Sequence, residues 1–352
     1  MSNTCQSEFI ELSMTAKIIL STWYGLVALA AIIGNAVVLW LIAKNESLRT
    51  ISNLFLTSLA AADFLVGFAI APTWIFTRCL EYEAESYVQT RGKVIDYLWI
   101  HTTVATTFNL CCVSLDRYIA IIHSLRYREI LTKRRCYQLI ATVWSMSLIL
   151  PCSRFLVTEG SVALWLSFTI ITVLIPMVVI VFCSIRILRA AAEQSRKIIT
   201  GNSLQNQDAV RRGKKNYKAA KTVGIVVGLF VVCWSPSLVT SLMNYFTSDP
   251  CGHNKQLSYY MIWTSVEALA FTSSGINPWV YSLRYDEFYE ALSRTLSCFP
   301  RRNLEQNHFY LRDTGGSQAE IWLAMPNRHW EEVSGNTNYM EWINQRRFTK
   351  IH

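Results

Sequence analysis

Seven long apolar runs constrain this chain more than any other feature. Ile18 to Ala43, Leu54 to Phe76, Val94 to Ile122, Leu139 to Pro151, Val162 to Ile185, Val223 to Phe246 and Leu257 to Leu283 carry few charges. A helix needs about 20 residues to cross bilayer hydrocarbon, and most of these runs are long enough. The run around Trp144 is the shortest and needs its flanks, Cys136 to Ser153. Lipid offers no water to exposed backbone groups, so only helices or closed barrels cross it. The runs lack the alternation of barrel strands, so the fold expected is an all-α membrane protein, a seven-helix bundle. Composition agrees: of 352 residues, 52% are hydrophobic and 16% charged, too apolar for an ordinary soluble domain of that length.

Orientation follows from the loops, because Lys and Arg are retained on the cytoplasmic side. The connections after the first, third and fifth runs are rich in them, from Lys44 and Arg49 through Arg126, Arg128, Lys133, Arg134 and Arg135 to Arg211, Arg212, Lys214 and Lys215. The opposite connections are sparse in them and hold Glu81, Glu83, Glu85 and Glu159. The N-terminus is therefore expected outside a plasma membrane and the C-terminus inside. The net charge of +9 reads as topology plus attraction to anionic inner-leaflet lipid. It is not a nucleic-acid footprint, since the basic residues flank apolar spans and are not interleaved with exposed aromatics. Residues 1–17 are polar and the first run is long enough to stay as an anchor, so no cleaved signal peptide is expected.

The expected organisation is an extracellular segment at 1–17, the bundle at 18–283, an amphipathic membrane-surface helix at 284–298 and a cytoplasmic tail at 299–352. Phe288, Leu292 and Leu296 fall on one face of the surface helix. Cys298 ends it, either as a palmitoylation site or as an unmodified thiol. Ala190 to Asn216 reads as a polar, basic loop, and the mixed charge of the tail suggests little independent structure. The other connections are too short for a folded extramembrane domain.

Ionisable and amide side chains inside apolar spans are costly and functional by default; here they are Asn35, Asp63, Asp116, Arg117, Glu267 and Asn277. A buried Asp63 needs a counter-charge, a proton or a cation. One arrangement is a protonated Asp63 bonded to Asn35 and Asn277. Arg117 can pair with Asp116 in a closed bundle and be freed in an open one, as a switch requires. Pro236 and Pro278 break backbone hydrogen bonds mid-helix, and Trp234 lies just before the first of them. Asp96, Trp99, Thr103, Tyr260, Trp263, Glu267 and Phe271 outline an acidic, aromatic pocket suited to a cation. The alternative is that Glu267 bonds to neighbouring Ser or Thr hydroxyls and the rings only pack.

Several of these residues stand in short motifs: Gly34-Asn35; Leu59-Ala60-Ala61-Ala62-Asp63; Asp116-Arg117-Tyr118; Trp144; Pro176; Cys233-Trp234-Ser235-Pro236; and Asn277-Pro278-Trp279-Val280-Tyr281. In this order, the set resembles the rhodopsin-like G-protein-coupled receptor family, from about Leu20 to Cys298. The resemblance implies a non-enzymatic receptor that converts extracellular ligand binding into activation of a heterotrimeric G protein, with arrestin and a receptor kinase as further inner partners. It implies switch residues at Asp116, Arg117, Tyr118, Leu125, Asn277, Pro278 and Tyr281, and a sodium site at Asp63, Thr106, Ser274 and Asn277. Sodium is the one cofactor it admits. Trp234 joins the ligand pocket on the same ground. A seven-helix transporter or channel is the alternative, but broken half-helices and internal repeats are missing.

Departures narrow the ligand. The retinal-binding Lys of opsins is replaced by Phe271, so no retinal is expected, and the amine-pairing Asp of monoamine receptors by Trp99. The ligand stays unnamed, with a cationic small molecule or peptide favoured. Gly92 stands where most such receptors carry a disulfide-forming Cys, and the loop around 154–161 has no Cys. Ser124 replaces a usual Pro, a melanocortin-like trait that Pro176 and Asn277 do not share. Ser184 replaces a usual Tyr and Asn216 a Glu of some relatives, which leaves the inactive state weakly latched. Outside, a Cys5 to Cys251 bridge is expected, with Cys5 to Cys79 as runner-up and Cys152 buried in the bundle.

Overall fold

The computed structural model describes residues 13–79, 85–156, 162–200, 207–246, 253–284, 286–295, 309–312, 320–324 and 330–333; within these ranges, 77–92, 156–162, 194–223, 253–260, 281–287 and the strands are described as backbone. Helix one spans Met14–Lys44. Helix two runs Ile51–Leu65, passes through a π-turn at Val66–Ile70 and continues as Ala71–Cys79. Helix three is Glu85–Ile122, and helix four is Lys133–Ile149 with a tight turn at Leu150–Cys152. Helix five is Val162–Thr169, a second π-turn at Ile170–Leu174 and Ile175–Thr200. Helix six is Gln207–Phe246, helix seven His253–Arg284 and helix eight Asp286–Thr295.

Local chemistry accounts for several boundaries. Ser13, Thr50 and Thr132 cap helices one, two and four by accepting from the amides of Ala16, Asn53 and Arg135. Hydroxyls within the apolar helices are satisfied by carbonyls four residues back, as at Thr57 to Asn53 and Thr107 to Thr103. Of the polar loop expected at 190–216, residues 190–200 and 207–216 are helical. The run Ala190-Ala191-Ala192-Glu193 has strong helix propensity and holds no Gly or Pro, so the helix continues past the apolar stretch.

Residues Met1–Phe299 form one compact unit. Among the described residues, six helices are long and apolar enough to cross a membrane. Large apolar side chains point away from the bundle, among them Ile18, Ile19, Leu26, Leu29 and Ile33 on helix one. Such a contiguous apolar exterior suits lipid, not water. On helix eight Phe288 and Leu292 are buried, the face expected from their spacing. The tail, Pro300–His352, is a second unit. It holds a three-stranded antiparallel sheet, Phe309–Arg312, Glu320–Ala324 and Trp330–Val333, in that order, which its composition did not announce. Residues of high strand propensity such as Ile321 and Trp322 favour pairing, with Ile321 opposite both Leu311 and Val333.

Helix one packs closely on helix seven because glycine allows it. A Cβ at Gly34 would stand 2.5 Å from Pro278 Cγ, and next to it Asn35 donates to the Ser274 carbonyl at 3.2 Å. Gly34→Ala is therefore expected to destabilise the bundle by about 1–3 kcal/mol through overpacking. A thermal midpoint in detergent equal to that of the unmodified protein would refute this.

Candidate functional site

Polar groups inside the bundle gather at three levels. At mid-depth, Asp63 is fully buried on helix two and accepts three hydrogen bonds. Ser274 Oγ and Thr106 Oγ1 donate to Oδ1 at 2.7 and 3.4 Å, and Asn277 Nδ2 donates to Oδ2 at 2.9 Å. All four residues named for this site in the sequence thus meet. Asn35 does not take the Asp63 contact considered above: its amide bonds to the carbonyls of Ala31 and Ser274. The carboxylate with its two hydroxyls is a set of hard oxygens, which fits a sodium ion.

At the C-terminal end of helix three, Asp116 is buried and held from three sides. Arg117 Nε lies 3.5 Å away, Tyr127 donates its phenol at 2.7 Å, and Ser52 of helix two donates its hydroxyl. Burial, reinforced by the bond to Asp116, raises the Tyr127 phenol above its ordinary range, so it stays a neutral donor. Neither Ser52 nor Tyr127 stood out in the sequence. Leu125, between Arg117 and Tyr127 in the chain, is 99% exposed. Tyr118 packs edge-on to His123 and against Phe182 of helix five. The side chains of Tyr281 and Asn216 lie outside the described residues; Ser184 is buried, and its hydroxyl has no hydrogen-bond partner.

Toward the opposite end of the bundle the aromatics close into one cluster. Trp99 sits 6.1 Å from Trp74, 6.0 Å from Trp234, 5.8 Å from Trp263 and 5.7 Å from Phe271. Glu267 is buried beside it and accepts from Trp74 Nε1 at 2.6 Å. That donor is an indole of helix two, not a neighbouring Ser or Thr hydroxyl, and Trp74 was missed in the sequence. Asp96 is a correction to the acidic pocket expected. It pairs with Arg154 at 2.7 Å, so its charge is balanced at the junction of helices three and four. Arg154 could be placed only as a loop residue from sequence; the helical turn Ser153–Leu156 turns it inward. Trp234 Nε1 donates to Ser273 at 3.3 Å, linking helix six to helix seven beside Pro278. Tyr260 contributes no described side chain.

Cys152 is exposed and donates to the Leu148 carbonyl, contrary to the burial expected, because the turn at Leu150–Cys152 rotates it outward. Cys5 and Cys251, proposed to bridge, and Cys298, proposed for palmitoylation, lie outside the described residues, as does the side chain of Cys79.

Residues 34–281 match the family of seven-transmembrane receptors of the rhodopsin type. The chain belongs to that family. The match starts at Gly34, ends at Tyr281 and encloses the three polar levels just described. Similar curated proteins include the octopamine receptor beta-2R of Chilo suppressalis, 24% identical over 373 aligned positions that cover 88% of each chain. The adenosine receptor A2a of Homo sapiens is 27% identical over 343 positions, covering 89% of this chain and 79% of that one. The QRFP-like peptide receptor of Branchiostoma floridae is 28% identical over 315 positions, covering 82% and 80%. These relatives are named for an amine, a nucleoside and a peptide, so kinship identifies a receptor and leaves its ligand open. The family is one of receptors, which does not favour the transporter or channel alternative.

Proposed function

We propose that this receptor binds an extracellular cation, a small molecule or peptide, and in response activates a heterotrimeric G protein without catalysing covalent chemistry. The observation that carries the cation is Glu267, a carboxylate 1% exposed and enclosed by Trp74 and its aromatic neighbours. Rings supply cation-π attraction and the carboxylate supplies the counter-charge, at a depth where water screens neither. Asp96, by contrast, pairs with Arg154 at 2.7 Å. Ligand entry displaces the Trp99 cluster, and Trp234, in contact with it and two residues before Pro236, passes the change to the inner half of helix six. There, opening separates Arg117 from Asp116 and exposes Arg117 to the G protein, with Leu125 on the same face; arrestin and a receptor kinase would act on the activated form.

The test is nucleotide exchange on purified G protein, with membranes carrying the chain exposed to amines, basic peptides, nucleosides and lipids. Agonists confined to neutral or anionic compounds would overturn the cation assignment.

Asp63, Thr106, Ser274 and Asn277 would hold a sodium ion, whose charge balances the carboxylate and ties helices two, three and seven in the inactive state. Asp63→Asn is expected to abolish the sodium dependence of agonist affinity. Wild-type affinity indifferent to sodium would favour a protonated Asp63 instead.

The loop charges support an N-terminus outside the plasma membrane. A tag before Met1 should be labelled on intact cells and one after Pro300 only after permeabilisation; the reverse pattern would overturn the orientation.

A further inference from the structure

Between helices three and four the chain passes through a tight turn at Ser124–Arg126 and a single helical turn, Tyr127–Ile130, before Thr132 caps helix four. A helix of four residues makes too few internal bonds to stand alone, so this turn depends on what its two ends meet. Its first residue, Tyr127, donates its phenol to Asp116 at 2.7 Å. Its last carbonyls, those of Glu129 and Ile130, both accept from Nη1 of Arg135 at 2.9 Å. Carbonyls at a helix C-terminus lack intrahelical partners, and the peptide dipoles favour a cation there. Arg135 is itself fastened, since Thr132 Oγ1 accepts from its backbone amide at 3.4 Å. Helix four opens Lys133-Arg134-Arg135, and its dipole disfavours cations at that end. Arg134 forms no hydrogen bond or ion pair among the described residues. Arg135 differs because its guanidinium reaches back to the turn before it.

We propose that Arg135 is a positioning residue for activation: by holding the C-terminal end of the turn Tyr127–Ile130, it keeps the Tyr127 phenol on Asp116 and biases the receptor toward its closed state. The inference rests on the reading that the groups around Asp116 hold the receptor closed. The bonds of the guanidinium are to backbone carbonyls, so Arg135 acts through the turn and its effect is limited to what Tyr127 contributes. Removing the guanidinium leaves the local fold anchored. Leu131 is 6% exposed and Cys136 fully buried, one on each side of Arg135 in the chain, and the Thr132 cap takes only the backbone amide.

Ligand-independent nucleotide exchange, measured with purified G protein and the full chain in nanodiscs, tests this. Arg135→Ala is expected to raise it about twofold, as fits solvent-exposed hydrogen bonds, and by no more than Tyr127→Phe does. Arg134→Ala removes the same charge from the same turn of helix four and should leave exchange at the wild-type level. Adding Arg135→Ala to Tyr127→Phe should raise exchange no further, because the group that Arg135 positions is already gone. A fluorine label, 3-fluorotyrosine at position 127, reads the geometry without reference to signalling. Its resonance should shift in Arg135→Ala and hold its place in Arg134→Ala. Exchange raised by Tyr127→Phe but not by Arg135→Ala, an additive double variant, an equal rise with Arg134→Ala or an unshifted resonance overturns the assignment. If Tyr127→Phe itself leaves exchange unchanged, the reading of the groups around Asp116 fails, and the resonance alone decides whether Arg135 positions Tyr127: a shift confined to Arg135→Ala supports it, and no shift overturns it.

Discussion

Glu267→Gln is expected to weaken cationic agonists by a factor of about a hundred or more, with surface expression unchanged. The carboxylate is buried, so a bound ammonium loses water on both sides, and removing one partner of a buried charge pair costs about 3–5 kcal/mol. Tenfold in affinity corresponds to about 1.4 kcal/mol, which gives the expected factor. Gln keeps an oxygen for the Trp74 indole, so the helix two to helix seven contact survives and the fold with it. Trp74→Phe is the complementary control, since it keeps a ring and a carboxylate but removes the donor, and should shift potency much less. Concentration-response curves for nucleotide exchange read both; a shift below about threefold for Glu267→Gln would remove Glu267 from the binding site.

Asp116→Asn is expected to raise ligand-independent nucleotide exchange by at least about fivefold, from about 1 kcal/mol withdrawn from the closed state. The carboxylate accepts from Ser52 and Tyr127 and pairs with Arg117, all donors. An amide puts N–H groups against that shell. The two hydroxyls can turn, but the Arg117 N–H cannot, so the closed state loses its ion pair and gains a donor facing a donor. Ser52→Ala and Tyr127→Phe each remove one contact and should raise basal exchange less. Exchange by Asp116→Asn at or below wild type would show that this shell does not hold the receptor closed.

The bundle and most of its buried polar groups were legible because lipid is an intolerant solvent. Asp63, Asp116, Arg117 and Asn277 stand out within apolar runs, and in a helix of regular pitch their spacing determines the face each occupies. Ser52 could have been found in this way. It precedes Asp63 by eleven residues (63 − 52), three turns of a regular helix, and so shares its face. Trp74 follows Asp63 by the same interval (74 − 63), but the π-turn at Val66–Ile70 intervenes and rotates it by about 100° relative to a regular helix. Periodicity carries no sign of that turn, so the partner of Glu267 stayed hidden.

By itself, then, the sequence determined the spans and the levels at which charge sits, since these depend on solvation of each segment by water or lipid. Only the tertiary structure decided which partner each acid meets. Asp96 and Glu267 look alike in sequence, each an acid near rings, and they differ because Arg154 is carried inward by a short turn and Trp74 by a π-turn. The partners lie 58 and 193 residues away along the chain. Pairing at such separations is a property of how helices pack, and a single rotation of one helical turn changes which partner an acid meets.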